Sequence, residues 1–175
     1  MQALQIYDGQ YHIAKIEPHS FVDGEGVRCS IYLSGCPFSC PGCYNLHAQK
    51  FTYGERCSDA VIEEIISYCE ADYIEGLSIL GGEPFCNMAL ATEIISRFRA
   101  RFGKAKSIWV WTGFMFEYLA NDQRRYGMLK EIDVLVDGPF VDWLYRPGIP
   151  FRGSLNQRVI DVQYSLRIGT VMDYM

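Results

Sequence analysis

Three cysteines within eight residues, Cys36-Pro37-Phe38-Ser39-Cys40-Pro41-Gly42-Cys43, constrain this chain more than any other stretch. The C-x3-C-x2-C spacing lies on a segment broken by two prolines and a glycine. Neither a helix nor a strand brings all three thiols to one point from those positions. A loop wrapped around a metal centre does. Thiolates are soft ligands that select zinc, copper(I) or iron–sulfur clusters, and clusters are held mostly by cysteine sulfur. The local count stops at three, so a four-iron cubane here would keep one iron open to a substrate or cofactor. The rival is zinc, because His47 extends the pattern to C-x3-C-x2-C-x3-H, a closed Cys3His site. A ferredoxin-like carrier needs a fourth cysteine at similar spacing. Cys29, Cys57 and Cys86 qualify in number but not in position and stay unassigned.

The chain's 175 residues suffice for one domain with a real core, 1–175, and are too few for two comfortable ones. Hydrophobic residues at 49% and charged residues at 21% fit a globular protein rather than a disordered one. A net charge of −5 argues against nucleic acid as the main partner. The densest basic run, Arg97, Arg99, Arg101, Lys104 and Lys106, reads as a helix C-terminus complementing its dipole. No signal peptide and no run of ~18 apolar residues is visible, which predicts a cytoplasmic protein without a membrane span. Seven cysteines, three of them clustered, make a disulfide framework the poorer reading and metal binding the better one.

Strands and helices alternate along the chain. Tyr11–Ile16 hints at a short strand, and Asp23-Gly24-Glu25-Gly26 reads as a tight turn. Cys29–Ser34 is strand-like and delivers Cys36 at its carboxyl edge, where ligands sit in parallel α/β sheets. Ser58 is a helix cap for residues to about Asp72, with Val61, Ile62, Ile65, Ile66 and Cys69 on one face, so Cys69 is a core residue. Further strands are expected at Leu77–Leu80, Ile108–Trp111 and Ile132–Val136, and further helices at Met88–Phe102 and about Phe114–Ala120. This alternation predicts an α/β fold, a largely parallel sheet covered by helices. A closed eight-fold barrel needs ~250 residues, and periodicity alone does not separate a partial barrel from a doubly wound sheet. Trp109 and Trp111 alternate with Val110, so the faces differ and at least one indole belongs in the core.

The cysteine spacing resembles that of the radical S-adenosylmethionine (SAM) superfamily. A second feature agrees with it: Gly81-Gly82-Glu83-Pro84 follows a strand and precedes a helix. On its own a Gly-Gly turn is weak, yet two glycines let a ligand approach the backbone, and Glu83 can accept from a cationic amine. The residue before the third cysteine is usually aromatic in the superfamily; here it is Gly42, followed by Tyr44. Cys-Pro-Gly-Cys-Tyr-Asn instead resembles one subgroup, the activating enzymes of anaerobic ribonucleoside-triphosphate reductase. Ser34-Gly35-Cys36, Trp109–Gly113, Val136-Asp137-Gly138-Pro139-Phe140 and Arg152-Gly153-Ser154-Leu155-Asn156-Gln157 resemble that subgroup as well. Gly24-Glu25-Gly26 departs from its usual Gly-Pro-Gly. Asp137-Gly138 reads equally as a turn, and Arg152 and Asn156 equally as a direct ligand or partner contact or as plain surface.

The resemblance implies a partial, open β/α barrel. It implies a [4Fe–4S] cluster on Cys36, Cys40 and Cys43, with SAM beside Gly42, Cys43, Tyr44, Gly82 and Glu83. It also implies a low-potential electron donor, and as partner the large subunit of the reductase, which receives a glycyl radical. The alternative within the family is activation of another glycyl radical enzyme such as pyruvate formate-lyase. Outside it stands the Cys3His zinc-stabilised binding module. His12, His19 and His47 form no base–nucleophile arrangement, and no acid–base pair is expected.

Overall fold

The computed structural model describes residues 11–175. Seven strands, β1 (His12–Ser20), β2 (Val27–Leu33), β3 (Glu55–Arg56), β4 (Ile74–Gly81), β5 (Ser107–Trp111), β6 (Val134–Asp137) and β7 (Arg158–Asp161), form one sheet in the order β3-β1-β2-β4-β5-β6-β7. β2, β4, β5 and β6 run parallel. β1 pairs antiparallel with β2 and β3, and β7 with β6. The sheet is therefore mixed, with a parallel centre and antiparallel margins, rather than parallel throughout. Connections explain this: parallel neighbours need a helical crossover, whereas β1 reaches β2 by the short turn at 21–26 and needs none.

The crossovers are α1 (Asp59–Tyr68) between β2 and β4, α2 (Met88–Phe102) between β4 and β5, and α3 (Phe116–Asn121) with α4 (Gln123–Leu129) between β5 and β6; α5 (Val162–Ile168) follows β7. Ser58 caps α1 as expected, its hydroxyl accepting from the Val61 amide at 3.4 Å. The helix stops at Tyr68, short of Asp72. Lys106 Nζ takes the carbonyls of Cys69, Ala71 and Ile74 at 2.7–2.8 Å, which supplies partners for a chain that has left the helix. The single helix expected near Phe114–Ala120 is two, because Asp122 accepts from the Arg124 and Arg125 amides and starts α4. The basic run does more than complement a dipole. Arg97 ties α2 to Asp59 and Glu63 of α1, and Arg99 ties it to Asp133 and the Glu131 carbonyl.

Strand alternation sorts the side chains. Cys29, Ile31, Leu77, Ile79, Ile108, Val110 and Leu135 pack on one face with Ile62, Ile65, Ile94, Phe98, Leu119 and Leu129 of the helices. Cys69 is fully buried in that cluster, as its helical position required. The opposite face holds Trp109, Val134, Val136 and Val159, with Trp111, Phe151 and Tyr174 against them. Trp109 is thus core and Trp111 half-buried. At the amino ends of the parallel strands this face is sealed by Arg28, which is 1% exposed. Its guanidinium donates to the Ser78 and Ser107 hydroxyls and to the Leu77 and Ser107 carbonyls at 2.7–3.0 Å, and it lies 5.5 Å from the Trp109 ring centre. Burial lowers its pKa to about 10.

Candidate functional site

Residues beyond the carboxyl ends of β2, β4, β5 and β6 enclose a cleft of about 540 Å³. Cys36, Cys40 and Cys43 line it with Gly42, Tyr44, Gly82 and Glu83, so the three cysteines and the residues expected beside SAM border one space. All seven cysteines are free thiols. The cysteine loop is hung on backbone bonds: the Gly35 and Cys36 amides donate to the Ala48 and Gln49 carbonyls at 2.6 and 3.0 Å, and the Cys43 amide to the Cys40 carbonyl. Burial pushes the Cys36 thiol up to about 12 and raises Cys40 as well. Half-buried thiols of this kind become thiolates when a cationic metal centre compensates them.

Among the described residues no three His, Cys, Asp or Glu side chains gather closely enough to hold one ion, as a zinc site with ~2.3 Å sulfur bonds requires. His47 stacks on Tyr53, with ring centres 5.6 Å apart. It lines a second cavity of about 750 Å³ with Lys15, Asp23 and Tyr32, not the cleft of the cysteines.

Glu83 is 1% exposed. Its Oε1 accepts from the Thr112 hydroxyl at 2.8 Å and the Phe85 amide at 3.0 Å, and its Oε2 from the Gly113 amide at 2.8 Å. Burial pushes this carboxyl up to about 7, against the downward pull of those donors and of Arg125. Much of its capacity is spent joining the ends of β4 and β5, and Oε2, with one donor, retains acceptor capacity. The two glycines before it are required by the chain itself. A Cβ on Gly82 would stand 2.5 Å from the Gly35 carbonyl oxygen, and one on Gly81, at φ +103°, 2.7 Å from the Leu33 backbone. That contact lets the Gly82 and Glu83 amides bond the Leu33 and Gly35 carbonyls at 2.7 and 2.8 Å. Gly42, at φ +73°, lies against Asp142 and Phe140 in the same way. Tyr44, by contrast, is 97% exposed at the rim between the two cavities.

The remaining wall comes from Trp111, Phe140, Tyr145 and Gln157. Residues 138–157 make a hairpin-like excursion, bridged at Tyr145 and Ser154, with Trp143 80% exposed in the short 3-10 helix Asp142–Leu144 ahead of that bridge. The Arg-Gly-Ser-x-Asn-Gln stretch pins its base. Gln157 accepts from the Gly153 and Ser154 amides and donates to the Gly138 carbonyl. Asn156 donates to the Pro139 carbonyl at 2.8 Å and Arg152 to the Gln157 carbonyl at 2.6 Å. Neither Arg152 nor Asn156 lines the cleft. Asp137 is fully buried and clasped by Arg158, which also pairs with Glu117, so it is an ion-pair centre rather than a bare turn residue. Phe38, Thr112 and Asp142 also line the cleft without having been singled out. Phe38 and Thr112 had a signal in their place inside the quoted motifs, and Asp142 had none.

The 4Fe–4S single cluster domain family matches residues 22–160. A relative from Haemophilus influenzae, an anaerobic ribonucleoside-triphosphate reductase-activating protein, is 37% identical over 144 residues, 80% of this chain and 91% of its own length. The chain belongs to that activating-protein family. Relatives of the same name in Escherichia coli strain K12 and in Enterobacteria phage T4 are 37% and 35% identical. They match 81% and 83% of this chain and 93% and 90% of their own lengths. The matched 4Fe–4S domain segment spans the three cysteines and the other residues that line the cleft. No helix among the described residues is long and apolar enough to cross a membrane.

Proposed function

We propose that this protein is a radical SAM activase that installs a glycyl radical on the large subunit of anaerobic ribonucleoside-triphosphate reductase. One observation supports this most: the three cysteines and the Gly-Gly-Glu turn, 38 or more residues apart in sequence, open on one cleft at the carboxyl ends of parallel strands. In this reading Cys36, Cys40 and Cys43 hold three irons of a [4Fe–4S] cluster, and Gly42, Cys43, Tyr44, Gly82 and Glu83 border SAM. When bound and reduced by a low-potential donor, the cluster supplies the electron that splits SAM into methionine and a deoxyadenosyl radical, which takes a hydrogen atom from a backbone glycine of the reductase. Glu83 presents its free lone pair to the methionyl amine while Thr112 and Gly113 fix its orientation. Trp111 and Phe140 give the cleft apolar walls that keep water from the radical. The exposed Tyr145 borders the cleft where the partner's glycine segment would arrive, so the partner completes the closure.

The same reading makes residues 1–175 a single cytoplasmic domain whose sheet is an open, partial β/α barrel, in keeping with helices on one face and the cleft at the strand ends. The test is anaerobic reconstitution with iron and sulfide, then SAM and a reductant. Formation of 5′-deoxyadenosine, together with a glycyl radical signal by electron paramagnetic resonance on added reductase, is the expected result. Colourless protein that binds zinc and leaves SAM intact would overturn the proposal. A radical on pyruvate formate-lyase and none on the reductase would reassign the partner.

A further inference from the structure

Arg125 of α4 is 3% exposed and borders neither the cleft nor the second cavity. It nevertheless contacts residues that pack behind the cleft. Its Nη1 pairs with Asp122 at 2.8 Å, and its Nε donates to the carbonyl of Phe85, in the turn that Glu83 begins, at 3.2 Å. The guanidinium lies 4.9 Å from the Phe114 ring centre and 5.6 Å from that of Tyr118, whose rings stack at 8°. Phe114 in turn meets the ring of Phe38 edge-on, with centres 4.9 Å apart. Phe38 stands between Cys36 and Cys40 and presses on Gly113, where a Cβ would come within 2.8 Å of the ring.

A cation fixed by a carboxylate thus holds Phe114, Phe114 backs Phe38, and Phe38 is the only aromatic side chain between the first two cysteines. Planar guanidinium–ring contacts are strongest away from water, which is where this one sits. We propose that Arg125 is a positioning residue for the cysteine loop, acting through the rings of Phe114 and Phe38. The proposal rests on the reading that this loop holds the cluster, and it extends that reading to a helix outside the cleft.

The experiment compares the parent with Arg125→Leu, Arg125→Lys, Phe38→Leu and the double variant Phe38→Leu/Arg125→Leu, all as the full chain under anaerobic conditions. Two rates are read: iron loss from reconstituted protein to a ferrous chelator, and alkylation of each cysteine by iodoacetamide in iron-free protein, by mass spectrometry. Arg125→Leu should raise iron loss, and alkylation of Cys36 and Cys40, by about fivefold. Cys57, which lines a separate crevice ahead of α1, should react at the parental rate. Arg125→Lys keeps a charge opposite Asp122 but not the planar stack. It should shift both rates the same way by less, and it stands in if the leucine variant does not fold. The double variant should match the more affected single one, since both act on one path. Parental rates at Cys36 and Cys40, a parallel rise at Cys57, or additive effects in the double variant would overturn the proposal. If the parent itself takes up no iron, the cluster reading fails, and the alkylation rates still decide the clamp.

Discussion

Replacing Glu83 by Gln separates two contributions that the buried carboxylate makes. Folded Glu83 titrates near 7 instead of its ordinary 4.5, mainly because burial disfavours the charge. Between those values the folded state holds a proton that the unfolded chain has released, so this group's stability is full below pH 4.5 and is lost as pH rises through 7. From pH 5 to pH 8.5 the loss integrates to roughly 2–3 kcal/mol. Gln is neutral throughout and removes that slope. It also brings an NH2 group to a site where the Phe85 and Gly113 amides and the Thr112 hydroxyl converge. In either amide orientation one backbone N–H faces another donor, at a cost of about 1–3 kcal/mol that does not vary with pH. The variant should therefore be clearly less stable than the parent at pH 5 and nearly equal to it, or more stable, at pH 8.5. In thermal midpoint the swing amounts to about 5–10 °C. Urea unfolding of the iron-free, reduced full chain followed by circular dichroism at the two pH values measures it. A stability difference that stays constant from pH 5 to pH 8.5 would refute the assigned titration, and an equal stability at pH 5 would refute the three-donor geometry.

Other outcomes follow from the same geometry. His47→Ala should retain its iron and its deoxyadenosine yield; stoichiometric metal loss, measured by elemental analysis, would restore the Cys3His site. Arg158→Met should destabilise by about 3 kcal/mol in urea titration, because it leaves the fully buried Asp137 carboxylate without its charge partner. An unchanged midpoint would show that this pair contributes little. Asn156→Ala removes the bond to the Pro139 carbonyl that pins the 138–157 excursion. It should keep iron and deoxyadenosine formation while lowering the glycyl radical signal on the reductase; a parental signal would make the pin dispensable.

What could be read from the residues was whatever depends on neighbours in sequence. The α2 helix, the Ser58 cap and the core position of Cys69 rest on 3.6-residue periodicity and local capping, and they appear as expected. β3 has only two residues and no period to detect, and α4 has a glycine, Gly127, in its middle. β7 and α5 lie past the last strand that periodicity picked out, and β7 turns the margin antiparallel. In the site, the cysteines and the Gly-Gly-Glu turn were legible because each is a short contiguous pattern. Glu83's partners Thr112 and Gly113 lie 29 and 30 residues away, and Arg125 meets Phe85 across 40. Only folding reveals those pairs. The separation of His47 from the cleft was equally invisible, since four residues of spacing permit either placement.

Gly81 and Gly82 exist to let one strand end pass against the backbone of its neighbour, whatever is bound above them. A descendant of this protein that lost all three cysteines would lose the thiols of the cleft but not that close backbone packing. Selection for folding alone would go on removing side chains from both positions. The glycine pair would then outlast the cysteines, and a Gly-Gly pair after a parallel strand in a chain without the triplet marks close packing of strand ends rather than a reaction.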